Sequence, residues 1–248
     1  MRLLMSGLFI TGTDTGVGKT FVGAHLLKFL RDRGVRACYQ KWVSTGEGGK
    51  PQDLLFCLDF AGFVPGPNLF SSLAPYCFTT PASPHLAAQL EGREINPDVL
   101  IRCTKELQLQ FDLVLVEGVG GVLVPLRRDL LLADFLSSLF LPTLVVARSG
   151  LGTLNHTLLT LEALKTRKVP VLGVVFSDEK QAQDDIVITD NVRTIQEISG
   201  TEVFGRLPRY DFSHEACEAF RKIGEKILLA FNAHGHDEPD AESLPGTR

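Results

Sequence analysis

A chain of 248 residues with 44% hydrophobic and 22% charged residues has the composition of a folded protein, and it is long enough to bury a substantial core. A formal net charge of −4 lacks the positive excess of a nucleic-acid binder, and no apolar run reaches the roughly 18 residues of a membrane-crossing helix. With five cysteines but no Cys-x-x-Cys pair, and no long apolar segment ahead of its glycine-rich loop, the chain is expected to be cytoplasmic. Zinc and disulfides are disfavoured, and the expected partners are small molecules rather than nucleic acid or membrane.

Leu8-Phe9-Ile10-Thr11 reads as a buried strand that stops at Gly12. From Lys19 onward Phe21, Val22, Leu26, Leu27, Phe29 and Leu30 recur at helical spacing until Gly34. Residues 35–42 read as a second strand, and helices are predicted over 52–60, 85–91 and 97–109, with a loop at 63–68. The apolar runs 111–116, 143–147, 171–176 and 202–207 read as buried strands, alternating with helices over 153–167, 186–198 and 214–231. The stretch 130–147, interrupted by Asp134 and Pro142, resolves into helix, turn and strand. This alternation predicts one α/β domain over 1–231, with a mostly parallel, twisted sheet of about seven strands and helices on both faces; the glycine-rich run 12–20 between its first strand and first helix makes the expected fold a P-loop fold. The polar residues 232–248, with Pro239 and Pro245, are expected to form a disordered tail.

The chemistry begins at Gly12-Thr13-Asp14-Thr15-Gly16-Val17-Gly18-Lys19-Thr20, a variant phosphate loop with five residues, not four, between its first glycine and Gly18. Glycines let backbone N–H groups approach phosphate oxygens, and the following helix contributes its N-terminal dipole. Lys19 supplies charge, and the Thr20 hydroxyl is suited to ligate Mg²⁺. Such an ion wants one or two carboxylates as well. Glu117 ends an apolar strand and is followed by Gly118, which places it at the ligand crevice of a parallel sheet. On spacing alone Asp53 is a weaker candidate, since an acid at the start of a surface helix has a favourable dipole interaction in any case.

The run Thr11 to Thr20, Lys41 with Gly46, and Val116-Glu117-Gly118-Val119-Gly120-Gly121 together resemble the dethiobiotin synthetase family. So do Ser83-Pro84-His85-Leu86-Ala87-Ala88 and Gly152-Thr153-Leu154-Asn155-His156-Thr157, and the matches keep their order over residues 7–210. The resemblance implies an ATP-dependent ligase that joins CO2 to 7,8-diaminopelargonic acid, giving dethiobiotin, ADP and phosphate. It implies Lys19 and Lys41 as catalytic residues, and Mg²⁺ on Thr20, Asp53 and Glu117. Gly16, Val17, Gly18, Lys19, Thr20, Glu117, Gly118, Ser177, Leu207, Pro208 and Arg209 would contact the nucleotide. Thr15 and Thr45 would lie near the diamine, and Gly152, Thr153 and Asn155 would receive the substrate carboxylate across a homodimer interface. Three positions depart from common family usage: Gly16 stands where some members have glutamate, Trp42 where proline commonly follows the lysine, and Ser177 where many carry asparagine. A nucleotide-switch ATPase and a different P-loop ligase are the competing readings. The former usually has a lysine near the start of the loop, which Gly12-Thr13-Asp14 lacks.

Overall fold

The computed structural model describes residues 6–178, 185–208 and 214–234. The expected nucleotide contact Arg209 and most of the expected tail, 235–248, lie outside the described residues.

Strand β1 (Ser6–Gly12) runs into the glycine loop, and α1 (Lys19–Asp32) follows, burying Phe21, Val22, Leu26, Leu27, Phe29 and Leu30. Next come β2 (Ala37–Lys41) and a short β3 (Val43–Thr45), then α2 (Gln52–Phe60). A 3-10 turn at Pro67–Leu69 leads to α3 (Phe70–Leu73) and β4 (Tyr76–Phe78). Helix α4 (Pro84–Leu90) starts one residue before the expected position, because Pro84 has the preset φ and missing N–H that suit a first helical turn. Helix α5 (Pro97–Gln108) is capped by Asn96, whose side chain accepts from the Asp98 N–H at 2.9 Å. The central strand β5 (Leu113–Gly121) is followed by a small hairpin, β6 (Pro125–Arg127) and β7 (Leu130–Leu131), and by α6 (Leu132–Ser137). The chain then completes β8 (Thr143–Ala147), α7 (Thr153–Thr166), β9 (Val171–Asp178), α8 (Asp185–Ser199), β10 (Val203–Pro208) and α9 (His214–His234). The last helix runs through His234, so the first three residues of the expected tail are helical.

Six strands, all parallel, form the main sheet in the order β10-β9-β8-β1-β5-β2. The expected count was about seven. The difference arises just past Lys41, where the chain leaves the sheet and β3 pairs with β4 in a separate ladder, while β6 and β7 pair only with each other. From β1 the chain travels outward to the edge strand β2, returns to β5, and then crosses to β8 and moves outward the other way. Right-handed crossovers in opposite directions put helices on opposite faces. Accordingly α1, α2 and α9 pack together, whereas α5 packs on β1 and β5 and α7 on β8 and β9. The reversal of strand order falls at β1, so the crevice beyond its carboxyl end, where ligands bind in open α/β sheets, opens at the glycine loop. Among the described residues no helix is long and apolar enough to cross a membrane.

Candidate active site

Between β1 and α1 the glycine loop turns the backbone from the sheet into the helix. Gly16 and Gly18 adopt φ of 71° and 99°, a left-handed conformation that is strained for residues with a Cβ. The loop is anchored on the sheet by the Thr13 N–H, which donates to the Val146 carbonyl at 3.0 Å. Lys19 folds back over it, donating to the Asp14 carbonyl at 2.9 Å. Burial brings its ammonium down from 10.5 to about 8; attraction to Glu117 opposes the shift and repulsion from Lys41 adds to it.

Opposite the loop, sheet register does the positioning. Lys41 of β2 lies directly across from Glu117 of β5, and the Lys41 ammonium meets Glu117 Oε1 at 2.7 Å. The same ammonium donates to Asp53 Oδ2 at 2.5 Å, which ties the first turn of α2 to the end of the sheet. Burial alone would lower the Lys41 ammonium, but Glu117 and Asp53 outweigh it and hold the group protonated above the ordinary lysine range. Thr20 Oγ1 is 3.1 Å from each oxygen of Glu117. It has one proton to give, so its lone pairs remain for another partner. The Tyr39 hydroxyl donates to Glu117 Oε2. Burial first, with Cys57 and Glu117 adding to it, keeps this phenol protonated well above its usual range.

Apart from Tyr39, which lies behind Glu117, the side chains of this cluster line one cavity of about 660 Å³, within the range of small-molecule sites. Thr15, Gly16, Gly18, Lys19, Thr20, Lys41, Thr45, Asp53 and Glu117, all expected from sequence, converge on it. Sequence reasoning missed Phe56 and Glu47, which also line it. Glu47 is tied to the Gln52 N–H at 2.7 Å, and its carboxyl is raised by burial and by Asp53. The hard-oxygen donor set of Thr20, Asp53 and Glu117 fits a magnesium ion by chemistry, since such ions take carboxylate and hydroxyl oxygens and keep several waters. Val17 and Gly118 serve the packing beneath: Val17 is 1% exposed, and a Cβ at Gly118 would come within 2.7 Å of Phe9 Cζ.

The remaining expected residues lie elsewhere. Ser177 and Leu207 are partners in the β9–β10 ladder and both are fully buried, with no hydrogen-bond partner for Ser177 Oγ among the described residues. Their neighbour Asp178, which sequence reasoning passed over, accepts from the Ser149 hydroxyl and the Arg206 guanidinium at the carboxyl ends of β8, β9 and β10. Pro208 ends β10, half-buried. Gly152, Thr153 and Asn155 begin α7 and do not line the cavity of their own chain. Thr153 does not cap that helix: its hydroxyl is buried against Thr157 Oγ1 at 3.1 Å.

Comparison with known proteins adds the lineage. Residues 6–215 match a family model described as an AAA domain. The chain is 40% identical over 205 residues to the ATP-dependent dethiobiotin synthetase BioD of Anaeromyxobacter dehalogenans, covering 82% of this chain and 90% of that protein. It is 36% identical over 221 residues to the BioD of Anoxybacillus flavithermus, covering 85% and 96%. A BioD from Methanococcus vannielii is 35% identical over 198 residues, covering 80% and 91%. Among solved structures, pNOB8 ParA superposes with a TM-score of 0.57 at 14% identity, covering 93% of this chain and 100% of that one. The Pyrococcus furiosus cell division ATPase MinD gives 0.55 at 17%, covering 91% and 99%. Those two likenesses are of fold alone, whereas the BioD matches hold 35–40% identity over 80–85% of this chain. On that breadth of identity, the chain belongs to the ATP-dependent dethiobiotin synthetase family.

Proposed function

We propose that this protein is an ATP- and magnesium-dependent cyclo-ligase that carboxylates 7,8-diaminopelargonic acid with CO2 to close the ureido ring of dethiobiotin. The observation that carries the reading is Lys41, buried at the end of β2 and facing the same cavity as Lys19 and Thr20. A phosphate loop explains Lys19. A second buried lysine on the same cavity wall is suited to an anionic reactant beside the γ-phosphate.

In this scheme one neutral amine of the substrate adds to CO2 and releases a proton, leaving a carbamate. A carbamate oxygen then attacks the γ-phosphorus and ADP departs, forming a carbamic-phosphoric anhydride. The second amine attacks the carbonyl carbon, the C–O bond to phosphate breaks, and the amine's proton is released as the ring closes. Lys19 and Lys41 hold two anions together by offsetting their charge at the moment of transfer. Magnesium on Thr20, Asp53 and Glu117 would supply further charge neutralisation at the phosphates. Thr15 and Thr45 offer hydroxyls on the substrate side of the cavity. The substrate carboxylate is assigned to the start of the α7 of a second subunit, at Gly152, Thr153 and Asn155, in a cytoplasmic homodimer. Ser177, Leu207, Pro208 and Arg209 are assigned to the base end of the nucleotide.

The decisive assay gives the purified protein diaminopelargonate, bicarbonate, ATP and Mg²⁺. Dethiobiotin formed in step with ADP is the expected product. ATP hydrolysis without dethiobiotin would instead favour a nucleotide switch or a ligase for another substrate.

A further inference from the structure

Glu117 is gripped from three sides. Thr20 and Lys41 approach it from the cavity, whereas Tyr39, fully buried and absent from the cavity wall, approaches from within the protein. Oε1 receives Lys41 at 2.7 Å and a share of the Thr20 proton. Oε2 receives the Tyr39 hydroxyl and the other share. A carboxylate on a glutamate turns readily about its last torsion, because that rotation is broad and roughly two-fold. Of the three holders, Tyr39 is the one whose grip does not compete with a cation arriving from the cavity.

The phenol itself has little freedom. A Cβ at Gly23 of α1 would lie 2.5 Å from Tyr39 Cε2 and 2.6 Å from its hydroxyl, so the ring occupies the space that the missing side chain leaves. Cys57 of α2, buried beside it, donates to the Thr20 carbonyl at 3.4 Å. Strand β2, helix α1 and helix α2 therefore all bear on one hydroxyl aimed at one carboxylate oxygen.

We infer that Tyr39 is a positioning residue that fixes the rotation of the Glu117 carboxylate, so that a divalent cation bound with the triphosphate meets a preset oxygen. The inference rests on the nucleotide–magnesium reading of the cavity. It follows the general behaviour of metal sites, in which a partner behind the ligand orients it and raises affinity. A tyrosine that merely filled the core would contribute stability and leave cation affinity untouched.

The test compares Tyr39→Phe with the wild-type full chain, using Mn²⁺ titrated by electron paramagnetic resonance in the presence of a non-hydrolysable ATP analogue and no diamine. The expected result is a Mn²⁺ dissociation constant raised about tenfold, the lower end for lost ligand-orienting partners, with the affinity for metal-free nucleotide unchanged. The Mg²⁺ concentration for half-maximal turnover rises in parallel, and excess Mg²⁺ restores the rate. Gly23→Ala, which pushes the ring aside while keeping the hydroxyl, weakens Mn²⁺ in the same direction and serves if the first variant does not fold. Wild-type Mn²⁺ affinity in a folded variant overturns the role of Tyr39 alone. Failure of the wild-type complex to bind Mn²⁺ overturns the metal reading, and this inference with it.

Discussion

Lys19 and Lys41 are both buried in one cavity wall and yet are driven in opposite directions. At Lys41 two carboxylates overcome burial, whereas at Lys19 burial prevails and the ammonium titrates at about 8. A phosphate loop whose lysine has lost its proton has lost much of its attraction for the γ-phosphate. The expected outcome is that kcat/KM for ATP, which reports the free enzyme, falls as pH rises through about 8, while kcat holds to higher pH because bound triphosphate raises the lysine again. A pH profile of both constants checks this; parallel limbs would refute it. The stability sign follows from the same shift: between about 8 and 10.5 the unfolded chain holds a proton that the folded chain has released, so the unfavourable contribution of Lys19 shrinks as pH rises. For Lys41→Ala the expectation is a loss of turnover of order 10²-fold or more, the scale of removing one charge-stabilising group, with nucleotide affinity changed far less. Measured dethiobiotin formation equal to wild type would remove Lys41 from the chemistry. Lys41 was recognised through its family context, because a lone lysine at a strand end carries no signal in itself. Tyr39 was missed for a related reason. It reads as one more core aromatic, and its partner Glu117 is 78 positions away in the chain. What could have flagged it is the two-residue period of β2, which puts Tyr39 and Lys41 on the same side of the strand.

That period also settles the part played by Trp42 at the end of β2. Its N–H donates to the Glu117 carbonyl at 3.2 Å, continuing the line of the ladder, while its ring turns into the core. There it packs between Phe9 and Phe135, at centroid distances of 4.9 and 5.4 Å. The indole N–H reaches Thr104 at 3.1 Å and Gln40 Oε1 at 3.2 Å. Truncation to Ala should therefore lower the unfolding free energy by about 3–5 kcal/mol, the usual cost of deleting a buried large aromatic. Trp42→Phe keeps the ring contacts, and Thr104 still donates to Gln40 at 2.7 Å, so no polar group is orphaned. Turnover of the Phe variant should match wild type, since Lys41 is held by Glu117 and Asp53 and not by the indole. Denaturant unfolding of both variants beside a turnover assay of the second checks the pair. At this scale the long elements were legible: the expected helix at 52–60 is α2, and the stretch 130–147, after the two residues of β7, divides into α6, a turn and β8. The short ladders β3–β4 and β6–β7 were not, because runs of two or three residues are too brief to show a period.

Across the whole molecule, the cavity gathers everything the scheme needs for phosphate and carbamate but nothing from the start of α7. Gly152 and Asn155 are exposed there, Leu151 beside them is 98% exposed, and Leu159 stands 57% exposed two turns further along the same helix. An apolar side chain that open, at the N-terminal end of a helix, suits a surface covered by a second copy of the chain. In the proposed homodimer the two α7 ends each face the neighbour's cavity, so dimerisation and diamine binding stand or fall together, while the ATP loop is complete within one chain. Leu151→Asp places a charge at the centre of that contact. The expected outcome is a shift toward monomer in sedimentation, with KM for the diamine raised about tenfold or more, as for loss of a central interface anchor, and KM for ATP little changed. A variant that stays dimeric with an unaltered diamine KM would place the carboxylate site away from α7. A monomer with an unaltered diamine KM would separate assembly from substrate binding and confine the reaction to a single chain.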